Sequence, residues 1–142
     1  MKKLILLAAC AAFFTQSRAQ VIEVKEVPGV VITNFKTTYP SINQVEWRRV
    51  GSNYEADYNA NQEDMYVTYD PSGNVVEVRE GIAYETVPAP VTTYVKTKYK
   101  DGKMTKVYKV KDAKGNVMYK GKVKDSYLIF DSNGNFVREV DK

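Results

Sequence analysis

The chain has 142 residues, 44% hydrophobic, with 21 Lys and Arg against 17 Asp and Glu, one Cys and no His. With Cys10 near the N-terminus and no imidazole anywhere, it has no Ser-His-Asp or Cys-His arrangement, no histidine base and no usual zinc ligand set. Eleven Tyr and one Trp beside only 8 Gly and 5 Pro argue against a disordered chain.

Lys2 and Lys3 precede an apolar stretch over 4–14, and Ser17-Arg18-Ala19 offers small residues at a signal-peptidase site. Residues 1–19 therefore read as a signal peptide, with export to the periplasm or beyond the cell and a mature chain from Gln20. The apolar run is too short for a membrane span, which needs ~20 residues, and no later segment approaches that length. Leu7-Ala8-Ala9-Cys10 imitates a lipoprotein box, but cleavage there would leave Ala11-Ala12-Phe13-Phe14 beside the lipid. Beyond the leader, 18 Lys and Arg face 17 Asp and Glu, so most of the apparent basicity belongs to the export signal. What remains is long enough for one compact domain, or two small ones sharing a core, held by packing without disulfides.

Residues 20–26 read as a leader segment, a short strand or tail. After it the chain repeats itself. Val27, Pro28, Val31, Thr33, Lys36, Thr37 and Tyr39 recur as Val87, Pro88, Val91, Thr93, Lys96, Thr97 and Tyr99, a period near 60. Such self-similarity predicts two equivalent units, here 27–82 and 83–142. Each opens on a predicted helix, because Val31, Phe35 and Tyr39, then Val91, Val95 and Tyr99, fall at i, i+4 and i+8. Pro28 and Pro90 suit a first helical turn, and Pro40 and Gly102 are stop signals. The β-branched content, such as Val30, Val31, Ile32 and Thr33, works against helix.

Strands follow each helix. Val45 and Trp47 alternate with Glu46 and Arg48; Tyr54, Ala56 and Tyr58 with Glu55 and Asp57; Met65, Val67 and Tyr69 with Tyr66 and Thr68. In the second unit Val117, Tyr119 and Val123 alternate with Met118, Lys120, Lys122 and Lys124. Period two means strands with one buried face. Asp-x-x-Gly-Asn recurs at 70–74, 112–116 and 131–135, a type I turn closed by a left-handed Gly. The expected fold is α+β: two tandem helix-plus-four-strand repeats forming an antiparallel sheet of about eight strands, with helices on one face.

The helix ending in Tyr39-Pro40, the Trp47 strand and the Tyr-Asp-x-x-Gly-Asn hairpin at 69–74 resemble the PepSY-like, β-lactamase-inhibitor-like tandem repeat proteins exported by Bacteroidetes-type bacteria. The resemblance covers nearly all of 27–142. It implies a periplasmic or secreted protein without catalytic activity, and by analogy of fold an inhibitor of an enzyme. The second unit places Lys100 and a Lys-Val-Tyr stretch where the first has Pro40 and Trp47.

The residues themselves offer little chemistry. No Ser lies in Gly-x-Ser-x-Gly or Ser-x-x-Lys, and the stretch 115–122 has five residues between its glycines where a phosphate loop needs four. Each Asp-x-x-Gly-Asn turn brings one carboxylate, short of a calcium loop. The pairs Glu55/Asp57 and Glu63/Asp64 read as solvated charges, which leaves a small carboxylate enzyme as the weakest function class. No catalytic residue, metal or cofactor is therefore expected.

Charge is split between the units. Residues 20–82 carry 5 basic and 10 acidic side chains, and residues 83–142 carry 13 and 7. The leading expectation is a non-catalytic interaction module that presents one sheet face to another protein of the cell envelope, not to nucleic acid and not through a membrane span. The face is assigned to Glu55, Asp57, Tyr66, Tyr127, Lys120 and Lys122, with the two tyrosines as outward-facing anchors. The alternative is an inhibitor of a periplasmic or secreted enzyme, entering an active site with the loop over 59–64.

Overall fold

The computed structural model describes residues 19–100 and 102–141; all but Ala19 of the signal peptide read over 1–19 lies outside them. Nine antiparallel strands form one sheet in chain order, β1 (Gln20–Ile22), β2 (Glu46–Val50), β3 (Asn53–Ala60), β4 (Glu63–Tyr69), β5 (Val75–Gly81), β6 (Thr105–Asp112), β7 (Val117–Val123), β8 (Ser126–Asp131) and β9 (Phe136–Asp141). Helix α1 (Gly29–Thr38) lies between β1 and β2 in the chain, and α2 (Ala89–Lys98) between β5 and β6. The eight strands expected of the two repeats are all present. The ninth is the leader strand, whose three residues pair with 47–49 of β2 before a single 3-10 turn, Val24–Glu26.

Both helices form despite their β-branched residues. Thr33, Thr37 and Thr38 each donate a hydroxyl hydrogen bond to the carbonyl four residues back, and Thr97 repeats this in α2. Pro28 stands one step earlier than expected, at the N-cap in extended geometry, with its carbonyl accepting from Val31 and Ile32. Pro88 likewise stands at the N-cap of α2, its carbonyl accepting from Val91, and Pro90 lies in the first turn. Each helix closes on a tyrosine N–H, Tyr39 to Phe35 and Tyr99 to Val95, both 2.8 Å.

The helices cover one face of the sheet over two hydrophobic clusters. Under α1, Val31 and Phe35 meet Trp47, Tyr58, Val67 and Tyr69. The Phe35 ring sits edge-on to Trp47 at 5.5 Å and to Tyr58 at 5.4 Å, the favoured geometry of aromatic pairs. Under α2, Val91 and Val95 meet Val107, Leu128 and Phe130. The second cluster has no Trp and includes Met104. A Cβ on Gly121 would come within 2.6 Å of the Met104 sulfur, so the bulky side chain and the missing one fit each other.

The three Asp-x-x-Gly-Asn hairpins share one hydrogen-bond set. In the first, Asp70 Oδ1 accepts the N–H of Ser72 and Asn74, Oδ2 accepts the Asn74 amide, and Gly73 takes φ +87°. Asp112 and Asp131 repeat these contacts. Two of the turns also seat a helix. Asn34 of α1 donates to the Gly73 carbonyl at 2.9 Å, and Gly134 packs under Pro88 and Val91.

Candidate functional site

The face away from the helices forms a trough of about 690 Å³ reaching from β2 to β8. Strand alternation places its side chains and the register lines them up. Asp57, Tyr66, Arg79, Val110 and Met118 make one row across five strands. Glu55, Thr68 and Glu77 make a second; Tyr108, Lys120, Ile129 and Arg138 a third; Lys122 and Tyr127 are direct partners.

Arg79 organises the centre. Its Nη2 donates to Glu55 Oε2 at 2.7 Å, and its Nε lies 3.4 Å from Glu77 Oε1. The guanidinium rests 4.4 Å over the Tyr66 ring, with the Tyr108 ring 5.9 Å away on the next strand. Tyr66 and Tyr108 meet edge to face at 5.8 Å. A planar cation that donates in its plane while stacking on its face needs arginine, and lysine would supply only half of this. Thr68 adds a 3.4 Å hydrogen bond to the same Glu55 oxygen. Nearer β2, Arg48 holds Glu46 at 2.7 Å and Asp57 at 2.8 Å.

Burial leaves its mark on the titrations. It pushes the Glu77 carboxyl above the ordinary carboxylate range, with the positive charge of Arg79 opposing. Burial also raises Asp57, against Arg48. The Lys120 amine is held below the ordinary lysine value, first by burial and then by repulsion from Arg79. Its ammonium lies 4.6 Å over the ring of Tyr127.

All six residues read from the sequence project from this face, but not on equal terms. Glu55, Tyr66, Lys120 and Tyr127 line the trough. Asp57 sits at its margin, in a neighbouring recess with Arg48 and Asn59, and Lys122 stands beyond the lining beside Tyr127. Glu55 corrects the solvated reading: it is 4% exposed and ion-paired to Arg79. The tyrosines are half-buried, Tyr66 against Arg79 and the Tyr108 ring and Tyr127 under Lys120, and are not free outward anchors. The proposed entering loop over 59–64 is mostly strand. Asn59 pairs with Asp64 and Ala60 with Glu63, leaving a two-residue turn at Asn61 and Gln62, both with positive φ.

Arg79, Glu77, Arg48 and Tyr108 escaped the sequence reading. The signal for Glu77 and Arg79 was present in their odd-numbered spacing on β5, but Val75 and Val76 together mask the alternation, and a bulge at Thr68/Tyr69 sets the local register. Among the described residues, no group of three or more His, Cys, Asp and Glu side chains converges as a metal site would require. No helix among them is long and apolar enough to cross a membrane.

Comparison with known proteins agrees with the doubled architecture. The family model described as "Putative beta-lactamase-inhibitor-like, PepSY-like" matches residues 13–77 and again 52–138. A protein of Bacteroides eggerthii DSM 20697, described as a putative periplasmic protein, has a similar fold (TM-score 0.74) at 21% identity, over 81% of this chain and 88% of that one. A DUF2874 family protein of Bacteroides uniformis ATCC 8492 is similar at TM-score 0.73 and 23% identity, over 81% and 89%. A BLIP-like protein of Bacteroides fragilis NCTC 9343 follows at TM-score 0.61 and 17% identity, over 81% and 86%. No curated protein matches. The helix-and-hairpin unit found twice in one sheet, and the family model matched twice along it, make this chain a member of the beta-lactamase-inhibitor-like, PepSY-like family.

Proposed function

We propose that the protein is a non-catalytic binding module of the cell envelope, and that its helix-free sheet face docks another protein. The trough is the observation that carries this reading. It joins half-buried tyrosines, an arginine stacked on one of them and ordered ion pairs on one uncovered surface, while the opposite face is occupied by helices. Tyrosine and arginine are the residues that dominate protein interfaces, and a rigid, prepaired charge network lowers the ordering cost of binding. The units are read as 27–82 and 83–142, the module as exported after cleavage near Ala19, and the partner as a protein.

A second reading, inhibition of a periplasmic or secreted enzyme, draws on the likeness of fold to the BLIP-like protein and on the tight hairpin tip at Asn61 and Gln62. The first reading sets the partner on the helix-free face, whereas the second brings it to the hairpin tip. Photocrosslinking tests the first: p-benzoylphenylalanine in place of Tyr127, against the same group in place of Thr37 on the exposed side of α1. The proposal expects a protein adduct from the envelope fraction at position 127 and none at 37. An adduct at 37 alone would contradict it.

A further inference from the structure

We propose that the second repeat's side of the trough, centred on Lys120, is a subsite for a carboxylate borne on an acidic segment of the protein partner; this rests on the reading that the helix-free face docks a protein. The two sides of the trough differ in how far their charges are already satisfied. The acids of the first repeat are paired within the face: Glu46 and Asp57 share Arg48, and Glu55 and Glu77 share Arg79. Lys106, Lys120 and Lys122 join no ion pair among the described residues. The dipolar face expected from the charge split is thus lopsided: its acids share arginines on one side, while these lysines have no carboxylate partner on the other.

Lys120 is where that surplus is least comfortable. Tyr108 and Ile129 flank it in register, and its ammonium lies over the Tyr127 ring, 4.6 Å from the centroid. Of the charges that act on it, Arg79 and Arg138 repel, while Glu55 and Glu77 attract but already hold Arg79. An aromatic face substitutes only in part for water around an ammonium. An arriving carboxylate would gain a charge-assisted hydrogen bond where water is already thin, and would relieve the repulsion.

The surroundings select the carrier. A long uniform polyanion lying along the trough would run from the lysines onto Glu55 and Asp57 and be repelled there, whereas a short acidic segment can stay over Lys106, Lys120 and Lys122. A polypeptide needs only one or two acidic side chains, set over Lys120, with neutral residues over the first repeat. Val110, Met118 and Ile129 give its other side chains an apolar floor.

The test titrates the 15N-labelled full chain with acetylated, amidated hexaglutamate, with hexalysine and with inorganic polyphosphate. Hexaglutamate is expected to shift the Lys120 ammonium and the Tyr108, Tyr127 and Ile129 amides saturably, and to raise the Lys120 titration midpoint; hexalysine should leave them unmoved. Lys120→Met should weaken hexaglutamate binding about ten-fold, Lys120→Arg should restore most of it, and Lys103→Met should leave it unchanged. Shifts spread evenly over all lysines, or polyphosphate binding more tightly than hexaglutamate at the same residues, would overturn the proposal. So would an unmoved Lys120 at millimolar hexaglutamate. If position 127 still crosslinks a protein in that case, the docking face stands and only the carboxylate subsite falls.

Discussion

Glu55 and Lys120 hold the same place in the two halves of the sheet with opposite charge. Tyr69 and Phe130 open equivalent hairpins, so Thr68 corresponds to Ile129, and their cross-strand partners are Glu55 and Lys120. The same register matches Asp57 with Lys122 and Glu77 with Arg138. The inversion is hidden in the linear repeat because the β3–β4 hairpin runs two pairs beyond Tyr58 and Met65, whereas β7–β8 ends at Val123 and Ser126. One backbone plan thus carries acids on one side and bases on the other. Arg79, on the middle strand of nine, joins them.

Phe35 is the densest point of the first cluster, with three aromatic neighbours and 2% exposure. Phe35→Ala should destabilise the fold by about 3–5 kcal/mol in urea unfolding. A loss below about 1 kcal/mol would mean that Trp47, Tyr39 and Tyr58 close the gap, a collapse that such packing resists.

The turn glycines should separate by their surroundings. Gly115 and Gly134 share positive φ, +85° and +86°, but a Cβ on Gly115 meets nothing nearer than 3.9 Å, while one on Gly134 falls 2.9 Å from Pro88. Gly115→Ala should cost about 1–2 kcal/mol from backbone strain alone. Gly134→Ala should cost more, because the proline ring and Val91 would have to move with α2. Equal losses in thermal unfolding would show that the helix yields freely there.

Removing Arg79 should hurt more than removing its partner's charge. Arg79→Met leaves Glu55 buried without its cation, and the expected loss is about 2–3 kcal/mol, reduced from a fully buried pair because the arginine is 23% exposed. Glu55→Gln keeps shape and a Thr68 contact and should cost clearly less. Urea unfolding of the two variants and their double gives the coupling directly. Additive losses would mean the pair does not act as a unit.

Acid should act on the turns and on Glu77 with opposite sign. Hydrogen bonds from Asn74, Asn116 and Asn135 hold Asp70, Asp112 and Asp131 below 3.8. The unfolded chain then binds more protons, so this stabilisation is complete above 3.8 and is lost as the pH falls through the folded values. Burial lifts Glu77 above 4.5, so its part runs the other way: stability is gained as the pH falls from above the folded value to below 4.5. Carboxyl NMR titration of the folded protein should place the three aspartates below, and Glu77 above, their ordinary values.

How much of this was legible depended on whether neighbours in space were neighbours in sequence. Helix stripes such as Val31, Phe35 and Tyr39, and alternations such as Tyr54, Ala56 and Tyr58, are local patterns, and they led to the right elements and the right faces. The Asp-x-x-Gly-Asn turns are local as well. Burial of Glu55 is not: it depends on Arg79, two strands away, and on rings from β4 and β6 that close over the pair. The tyrosines suffered the same way, since Tyr66 alternates outward as expected but is then covered by Arg79 and Tyr108. Charge inversion was visible only as a bulk difference between halves until the register matched the positions.

Association kinetics of the partner captured at position 127 would test the docking face most directly. Surface measurements across a salt series would compare the native chain with Lys120→Glu/Lys122→Glu and with Tyr127→Ala. A partner held on the helix-free face should associate more slowly with the charge-reversed variant, most visibly at low salt, because steering between exposed charges is screened over ~8–10 Å at physiological ionic strength. It should dissociate faster from Tyr127→Ala, where a central contact is lost. Rates unchanged in both variants would contradict the assignment and place the partner on another surface, such as the hairpin tip at Asn61 and Gln62.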